Sequence, residues 1–478
     1  MSNALLMDYY ELTMANSYFE QGRRQEWAVF DYYFRRAPDN GGYALFAGLT
    51  ALLDFVETLH FDDDDIAFLR RKGGLSEAFL AYLKDFRFQG EIYAFAEGSV
   101  IFPNEPVVSV RAPLIDCQLL ETMLLIFLNH QSLIATKAAR ICTQAGNRPV
   151  FEFGARRAHG ADAALLGARA AYIGGIAGSA NTQAERDFGV PAVGTMAHAY
   201  VQSFDSEFDA FAAYAKCYPD NTVLLVDTYD TLRQGIPNAI KVQREILAPL
   251  GHTLKGIRID SGDLAYLSTQ ARRMLDEAGL QHTQIMVSNS LDEYLIKDLT
   301  TQNAAIDAFG VGERLITARS EPVFGGVYKI VSLEKNGEAI AKIKLSENAV
   351  KTTTPGFKQV YRLYDQQQMA IADLVTLREE VIDENAPYVL FDPLNPWKKK
   401  RITEFTAKPL LQCVWRDGAR TGANNTLEQA RAQAKRDLAS LWDEVKRLEN
   451  PHGYYVDLSQ SLWQLKQDLI EQHTGDAL

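Results

Sequence analysis

The runs VFEFG (Val150–Gly154), VLLVD (Val223–Asp227), LKGIRID (Leu254–Asp260), IMVSN (Ile285–Asn289) and AFGVG (Ala308–Gly312) share one pattern. Each is a short apolar stretch that ends in glycine or a polar residue and is followed by residues with helical spacing. AYIGG from Ala171 and VPAVGTMA from Val190 read the same way, giving seven such units roughly 20 to 35 residues apart. Strands that are apolar throughout are buried on both faces, and parallel neighbours require helical crossovers. The pattern therefore predicts an α/β fold, an irregular parallel α/β barrel over residues 146–346, with an open doubly wound sheet as the rival. The eighth strand would be Gly326–Leu333, and Ser332–Ser346 would end the domain as a hairpin.

Residues 1–145 mix helix and strand. Glu26–Arg36 (EWAVFDYYFRR) is rich in aromatic and β-branched residues, Gln89–Phe95 and Pro106–Arg111 look like antiparallel strands, and Gly48–His60 has helical spacing. Ile115 to about Ala145 reads as one long helix that would carry the chain into the barrel. The aspartates Asp62–Asp65 suit the positive end of a helix dipole; the other reading is a metal cluster. Residues 347–478 return to short strands and proline-rich segments, followed by amphipathic helices at Leu427–Leu448 and Leu458–Ile470. These C-terminal segments are expected to pack on the N-terminal part, the two forming one α+β sandwich domain. Lys398–Arg401 reads as a solvated strand edge.

Composition narrows the classes of function. With 49 Lys and Arg against 61 Asp and Glu in 478 residues, the net charge of −12 argues against a nucleic-acid partner, which needs clustered cations. The four cysteines, Cys117, Cys142, Cys217 and Cys413, lack the spacing of zinc or redox motifs. No basic segment precedes an apolar one near the start, so a cytoplasmic protein without a membrane partner is expected.

In a parallel barrel the chemistry sits at the carboxyl ends of the strands. Those ends carry Glu152 with Arg156 and Arg157, Ser179 with Asn181, Thr195 with His198, Asp227, the run Arg258–Asp263, Asn289, and Gly310 with Gly312. Capping the next helix accounts for Asp227, Asn289 and Asp263 taken singly, but not for arginines, a histidine and paired glycines on one face. Gly310, Gly312, Gly325 and Gly326 would let backbone N–H groups approach a phosphate. Guanidinium groups bind phosphate or carboxylate through parallel hydrogen bonds, and Asp260 suits sugar hydroxyls or Mg²⁺ bound through water. His198 has three readings: a structural group, a general base, or a nucleophile that accepts phosphate.

The motifs also occur in a telling order. MDYYELTMANSYF at Met7, FEFGARRAHG at Phe151, GSANTQA at Gly178, GTMAHAY at Gly194, RIDSGDL at Arg258, FGVGERLIT at Phe309, GGVYKIV at Gly325, PGFKQVYR at Pro355 and NPHGYYVDLSQSL at Asn450 span the chain. With them the sequence resembles the nicotinate phosphoribosyltransferases, type II phosphoribosyltransferases, over nearly its whole length. The resemblance implies an NAD-salvage reaction in which nicotinate and phosphoribosyl pyrophosphate give nicotinate mononucleotide and pyrophosphate, driven by ATP hydrolysis. Mg²⁺, held mainly by substrate phosphates, is the implied metal, and a homodimer with shared active sites the implied assembly. Tyr10 would stack on the pyridine from the neighbouring subunit and Phe153 would cover its other face. Arg156 or Arg157, with Arg258, would bind the carboxylate and the pyrophosphate, and Asp260 the ribose hydroxyls. Ser179 and Thr195 would line the substrate site, Gly310, Gly312, Gly325 and Gly326 would hold the 5′-phosphate, and His198 would be transiently phosphorylated. Glu313 departs from the family pattern beside the phosphate loop, so its side chain must turn away, and neither it nor Arg314 is assigned a role. Nicotinamide phosphoribosyltransferases share the architecture and are the alternative. They resemble this chain around GSANTQA but carry an aspartate where Ala180 aligns, and Ala180 offers an amide no acceptor.

Overall fold

The computed structural model describes residues 3–346, 351–422 and 426–475. The chain divides into two units, residues 1–133 with 323–478, and residues 134–322, and the division falls inside the helix Glu121–Ala145.

Residues 134–322 are built on a six-stranded parallel sheet. Its order is Gly178–Ser179, Val150–Glu152, Ala308–Val311, Gln284–Ser288, Gly256–Ile259, Val223–Leu225. Register is set by pairs such as Val287 with Phe309 and Met286 with Arg258. Leu224, Leu225, Ile257, Ile259, Ile285, Val287, Phe309 and Val311 are fully buried, as strands covered on both faces require. Each such side chain contributes about 1.5–3 kcal/mol of transfer free energy. Polar residues just past the strands start the following helices. Asn181, Asp263 and Asp292 accept hydrogen bonds from the first N–H groups of Thr182–Phe188, Leu264–Glu277 and Glu293–Thr301, each worth about 1 kcal/mol. Glu293, fully buried, also accepts from Lys137 at 2.8 Å and Arg140 at 3.1 Å, fixing the end of the long helix in this unit.

Three elements differ from the sequence reading. AYIGG is the end of the helix Ala161–Ile173 and its cap, and the strand is only Gly178–Ser179. The run ADAALLGARAAYI is dominated by alanine and leucine, the best helix formers, and a buried helical turn is as apolar as a strand. VPAVGTMA is a loop with a single parallel bridge, Ser179 to Ala192. Gly326–Lys335 is not a strand of this sheet. It pairs antiparallel with Trp27–Phe34, Tyr328 opposite Tyr32, so the central unit ends at Pro322 and not at residue 346. Among the described residues no hydrogen bond joins the sheet's two edges.

Residues 1–133 and 323–478 share a seven-stranded antiparallel sheet. Its order is Glu338–Ala341, Gly326–Lys335, Trp27–Phe34, Val108–Pro113, Glu91–Ala94, Gln412–Arg416, Ala419–Arg420. The turn Asn336–Gly337 joins the first two strands with both residues at positive φ, the geometry that suits a two-residue hairpin. A four-stranded sheet follows, ordered Thr406–Pro409, Lys358–Tyr364, Ala370–Leu377, Val456–Leu458. N-terminal and C-terminal strands are thus neighbours in one sheet, which is why the boundaries at 145 and 347 give way to a single discontinuous unit. Asp62 caps the helix Asp63–Lys72, and Asp65 returns the bond to Asp62 N–H. The amphipathic stretch from Leu427 stops being helical at Ser440. Residues 347–350 of the expected C-terminal segment lie outside the described residues.

Candidate active site

Within residues 134–322 the ends of the parallel strands surround a cavity of about 370 Å³. Phe153, Arg156, Ala180, Thr195, His198, Arg258 and Asp260 line it, bringing together residues from four separate segments. A larger cavity of about 880 Å³ lies in the other unit, near Lys398–Lys400 and Asn450–Asp457. It is not at the ends of the parallel strands, so size alone does not mark the site.

Arg258 stands on the strand Gly256–Ile259, whose Ile257 and Ile259 point into the core. The alternation of the strand turns Arg258 to the opposite face. Its Nε donates to Ser288 Oγ at 2.9 Å and its second guanidinium nitrogen donates to Asp260 Oδ1 at 3.1 Å. Ser288 Oγ in turn donates to the same Asp260 oxygen. The guanidinium also lies 5.4 Å from the centroid of the Phe153 ring. Such a closed set holds a cation at a fixed angle while leaving N–H groups for an anion. Ser288 is followed by Asn289 and Ser290, both at positive φ (95° and 48°), an uncommon conformation for such residues that aims the chain around the site.

Phe153 owes its position to glycine. A Cβ on Gly310 would lie 2.7 Å from Phe153 Cδ2 and Cε2, so only glycine lets the ring lie against this strand. Gly154 is equally constrained, with Gly312 O at 2.6 Å from a built Cβ. Beneath them Glu152 is fully buried, and burial pushes its carboxyl above the usual range. It accepts from Ser179 Oγ at 2.6 Å and from Gly154 N–H, so Ser179 serves the framework of the site in this structure. Gly312 precedes the short helix Glu313–Ile316.

Asp227 organises the opposite side. Its side chain is 1% exposed. Oδ1 faces His198 Nε2 at 3.3 Å, while Oδ2 accepts from Asp260 N–H at 2.9 Å and Ser261 Oγ at 2.6 Å. It does not cap a helix, contrary to its reading in the sequence. His198 begins the helix His198–Gln202 and keeps its side chain 39% exposed. A carboxylate can only accept, so this contact requires the hydrogen on Nε2 and leaves the Nδ1 lone pair available. Thr195 Oγ1 is buried without a hydrogen-bond partner among the described residues, as a hydroxyl awaiting a ligand would be.

Arg156 and Arg157 lie on the exposed turn Ala155–Arg157, and neither side chain has a hydrogen-bond or ion-pair partner among the described residues; only Arg156 reaches the cavity. Glu313 turns to Arg319, at 2.9 Å, and Arg314 pairs with Asp292, so both are engaged outside the site. Tyr10, Gly325 and Gly326 belong to the other unit. Tyr10 is on the helix Tyr9–Glu20 with its side chain exposed. A Cβ on Gly326 would stand 2.1 Å from Asn129 Oδ1 and 2.7 Å from the Tyr32 ring, which explains this glycine by packing; Gly325 has open space around it. Asp227, Ser288 and Glu152 are the contributors that sequence reasoning left without a role. Their one signal was position at a strand end.

Three family models match the chain: the nicotinate phosphoribosyltransferase N-terminal domain over residues 5–129, the nicotinate phosphoribosyltransferase family over 149–367 and its C-terminal domain over 357–466. The nicotinate phosphoribosyltransferase of Bacillus subtilis is 43% identical, with 98% of this chain and 96% of that protein covered. The one from Homo sapiens is 31% identical, covering 97% and 96%. The crystal structure of human nicotinic acid phosphoribosyltransferase superposes with a TM-score of 0.84 at 29% identity, over 98% of this chain and 100% of that one. A nicotinate-nucleotide pyrophosphorylase from Pyrococcus furiosus shares the fold, with a TM-score of 0.70 at 24% identity over 91% and 96% of the two chains. With matching family models along its length and relatives that align almost end to end, the chain belongs to the nicotinate phosphoribosyltransferase family.

Proposed function

We propose that the protein joins nicotinate to phosphoribosyl pyrophosphate, forming nicotinate mononucleotide and pyrophosphate. The observation that carries this reading is the cavity itself: an aromatic wall, Phe153, beside the fixed cation Arg258 and the unpaired Arg156, with Ala180, whose side chain offers an amide no acceptor, in the same lining. A flat aromatic anion fits those surfaces. Its ring stacks on Phe153 and its carboxylate meets a guanidinium.

The pyridine nitrogen attacks the anomeric carbon with its own lone pair, and pyrophosphate departs with the bonding pair, so no general base is needed. The chain's tasks are to orient the ring, to balance charge on the leaving group with Arg258, and to hold ribose hydroxyls at Asp260. The described residues contain no group of three potential metal ligands, and Asp260 with Asp227 offers only one or two carboxylates. That donor set fits Mg²⁺, which keeps waters and binds through substrate phosphates. When bound, Mg²⁺ neutralises pyrophosphate charge.

His198 is the proposed acceptor of the ATP γ-phosphate, with Nδ1 as the attacking atom and ADP as the leaving group. Phosphohistidine beside the arginines would change affinity for phosphoribosyl pyrophosphate, and that difference couples ATP hydrolysis to synthesis. We read the parallel sheet as an irregular barrel, with the loop Val190–Ala197 in the place of a strand and its Ala192 bridge as support, and the two larger sheets of the other unit as a sandwich. The exposed Tyr10 is taken to complete a partner subunit's site in a homodimer. Gly310 and Gly312 remain the proposed 5′-phosphate region, although Gly310 also has a packing reason to be glycine; Gly325 and Gly326, in the other unit, keep that role only as the resemblance implies it, and packing accounts for Gly326. No described helix is long and apolar enough to cross a membrane.

Incubation with nicotinate, phosphoribosyl pyrophosphate and Mg²⁺, with and without ATP, followed by product chromatography, tests the reading. Nicotinate mononucleotide and pyrophosphate should appear in equal amounts, faster with ATP. Absence of the nucleotide under both conditions would overturn it.

A further inference from the structure

A cavity of about 220 Å³ in the unit formed by residues 1–133 and 323–478 is lined by Asp31, Tyr33, Thr354, Lys358, Asp392 and Lys466, among others. We propose that it binds a small oxyanion, either free phosphate or the phosphate group of a small ester, held by Lys466 and Tyr33 beside the charge of Lys358. This site is separate from the strand-end cavity and does not depend on the proposed reaction.

The two lysines differ in how well they are satisfied. Lys358 is 1% exposed and fully engaged: Nζ donates to the carbonyls of Thr354 at 2.8 Å and Gly356 at 2.5 Å and pairs with Asp31 at 2.8 Å. Asp31 spends its other oxygen on Ser109 Oγ at 2.6 Å. Lys466 has one bond among the described residues, to Thr354 Oγ1 at 3.3 Å, and makes no ion pair among them. Burial and the charge of Lys358 push its ammonium down to about 8. The other lining carboxylate, Asp392, is occupied by its own turn, accepting from the N–H groups of Leu394 and Asn395 and from Asn395 Nδ2.

Asp31 already balances Lys358, so Lys466 is the buried cation left without a counter-charge, and an anion beside it removes that cost. The donors for such a group are present. Lys466 has N–H groups left over, and Tyr33, only 8% exposed, has a buried hydroxyl that makes no hydrogen bond among the described residues. A buried polar atom left unbonded is rare and calls for a partner. The volume is below the roughly 300–1,000 Å³ of pockets for drug-sized ligands, which suits phosphate or a small phosphate ester and excludes a nucleotide.

Thermal unfolding at increasing phosphate, against potassium chloride of matched ionic strength, tests the site in an Arg258→Ala background, where the strand-end cavity has lost its fixed cation and Lys466→Met separates the two sites. The melting temperature should rise with phosphate beyond the chloride control, and Lys466→Met in the same background should remove the rise. Tyr33→Phe should move the phosphate midpoint about tenfold higher, the loss of one hydrogen bond to a charged group. Glycerol phosphate in place of phosphate separates the two sources: stabilisation at similar concentrations supports an ester ligand, and stabilisation by inorganic phosphate alone supports the free anion. No rise with either, or a rise that survives Lys466→Met, would overturn the proposal. Should Lys466→Met fail to fold, an unchanged midpoint in Tyr33→Phe would overturn it equally.

Discussion

Replacing Asp227 by Asn tests how the site prepares His198. With aspartate, the 3.3 Å contact to Nε2 selects the tautomer whose Nδ1 lone pair is free. Asparagine can keep accepting from Asp260 N–H and Ser261 Oγ through its carbonyl oxygen, which turns its NH₂ toward the imidazole. Nε2 then becomes an acceptor and Nδ1 carries the hydrogen, so the attacking atom is blocked. Losing a hydrogen bond to a charged group removes about 1.5–3 kcal/mol, and the new neutral bond adds about 0.5–1.5 kcal/mol to the wrong tautomer. The swing of about 2–4.5 kcal/mol corresponds to roughly 30-fold to 2,000-fold. His198 is 39% exposed, so water competes and the lower end, about 30-fold to 100-fold, is expected. Transfer of label from γ-³²P-ATP to the protein, read as acid-labile phosphate, should slow by that factor in Asp227→Asn and vanish in His198→Ala. Slow synthesis without ATP should persist in His198→Ala. Phosphorylation of Asp227→Asn at the wild-type rate would refute the tautomer argument.

Gly310→Ala should displace the Phe153 ring, because a built Cβ meets it at 2.7 Å, and raise KM for nicotinate roughly tenfold or more; an unchanged KM in steady-state assays would separate Phe153 from the pyridine. Mixing Tyr10→Ala with Arg258→Ala subunits should restore activity in mixed dimers, and failure with verified subunit exchange would mean that each chain builds its own site. Burial raises the Asp116 carboxyl to about 7, so the folded chain retains a proton that the unfolded chain releases near pH 4. Stability tied to this group is complete below about pH 4 and is lost as the pH climbs through about 7, so Asp116→Asn should raise the urea midpoint at pH 8 but not near pH 4. Equal midpoints at pH 8 would contradict that sign.

Five of the strands were legible because each is a short, largely buried and mostly apolar run too short for a helix, as in VLLVD and LKGIRID. AYIGG had the same texture yet closes a helix, since burial on all sides erases the periodicity that separates the two. Gly326–Lys335 was recognisable as a strand, but its sheet was not, because an antiparallel partner some 300 residues earlier leaves no local mark. Arg258, Asp260, His198 and Phe153 could be named from motif and strand-end position. Asp227 could not, because a carboxylate after a strand looks the same whether it caps a helix or, as here, receives Asp260 N–H, Ser261 Oγ and the His198 ring. Glu313 shows the converse: its turn toward Arg319 depends on a side chain six residues on, which no spacing rule assigns.

The nicotinate assignment rests on Phe153, Ala180, Arg156 and Arg258 lining one cavity. It is tested most directly by the ratio of kcat/KM for nicotinate over nicotinamide in the wild-type protein, measured at saturating phosphoribosyl pyrophosphate. One charged hydrogen bond kept or lost predicts a preference for nicotinate of about tenfold to hundredfold. Equal values, or a preference for nicotinamide, would contradict it.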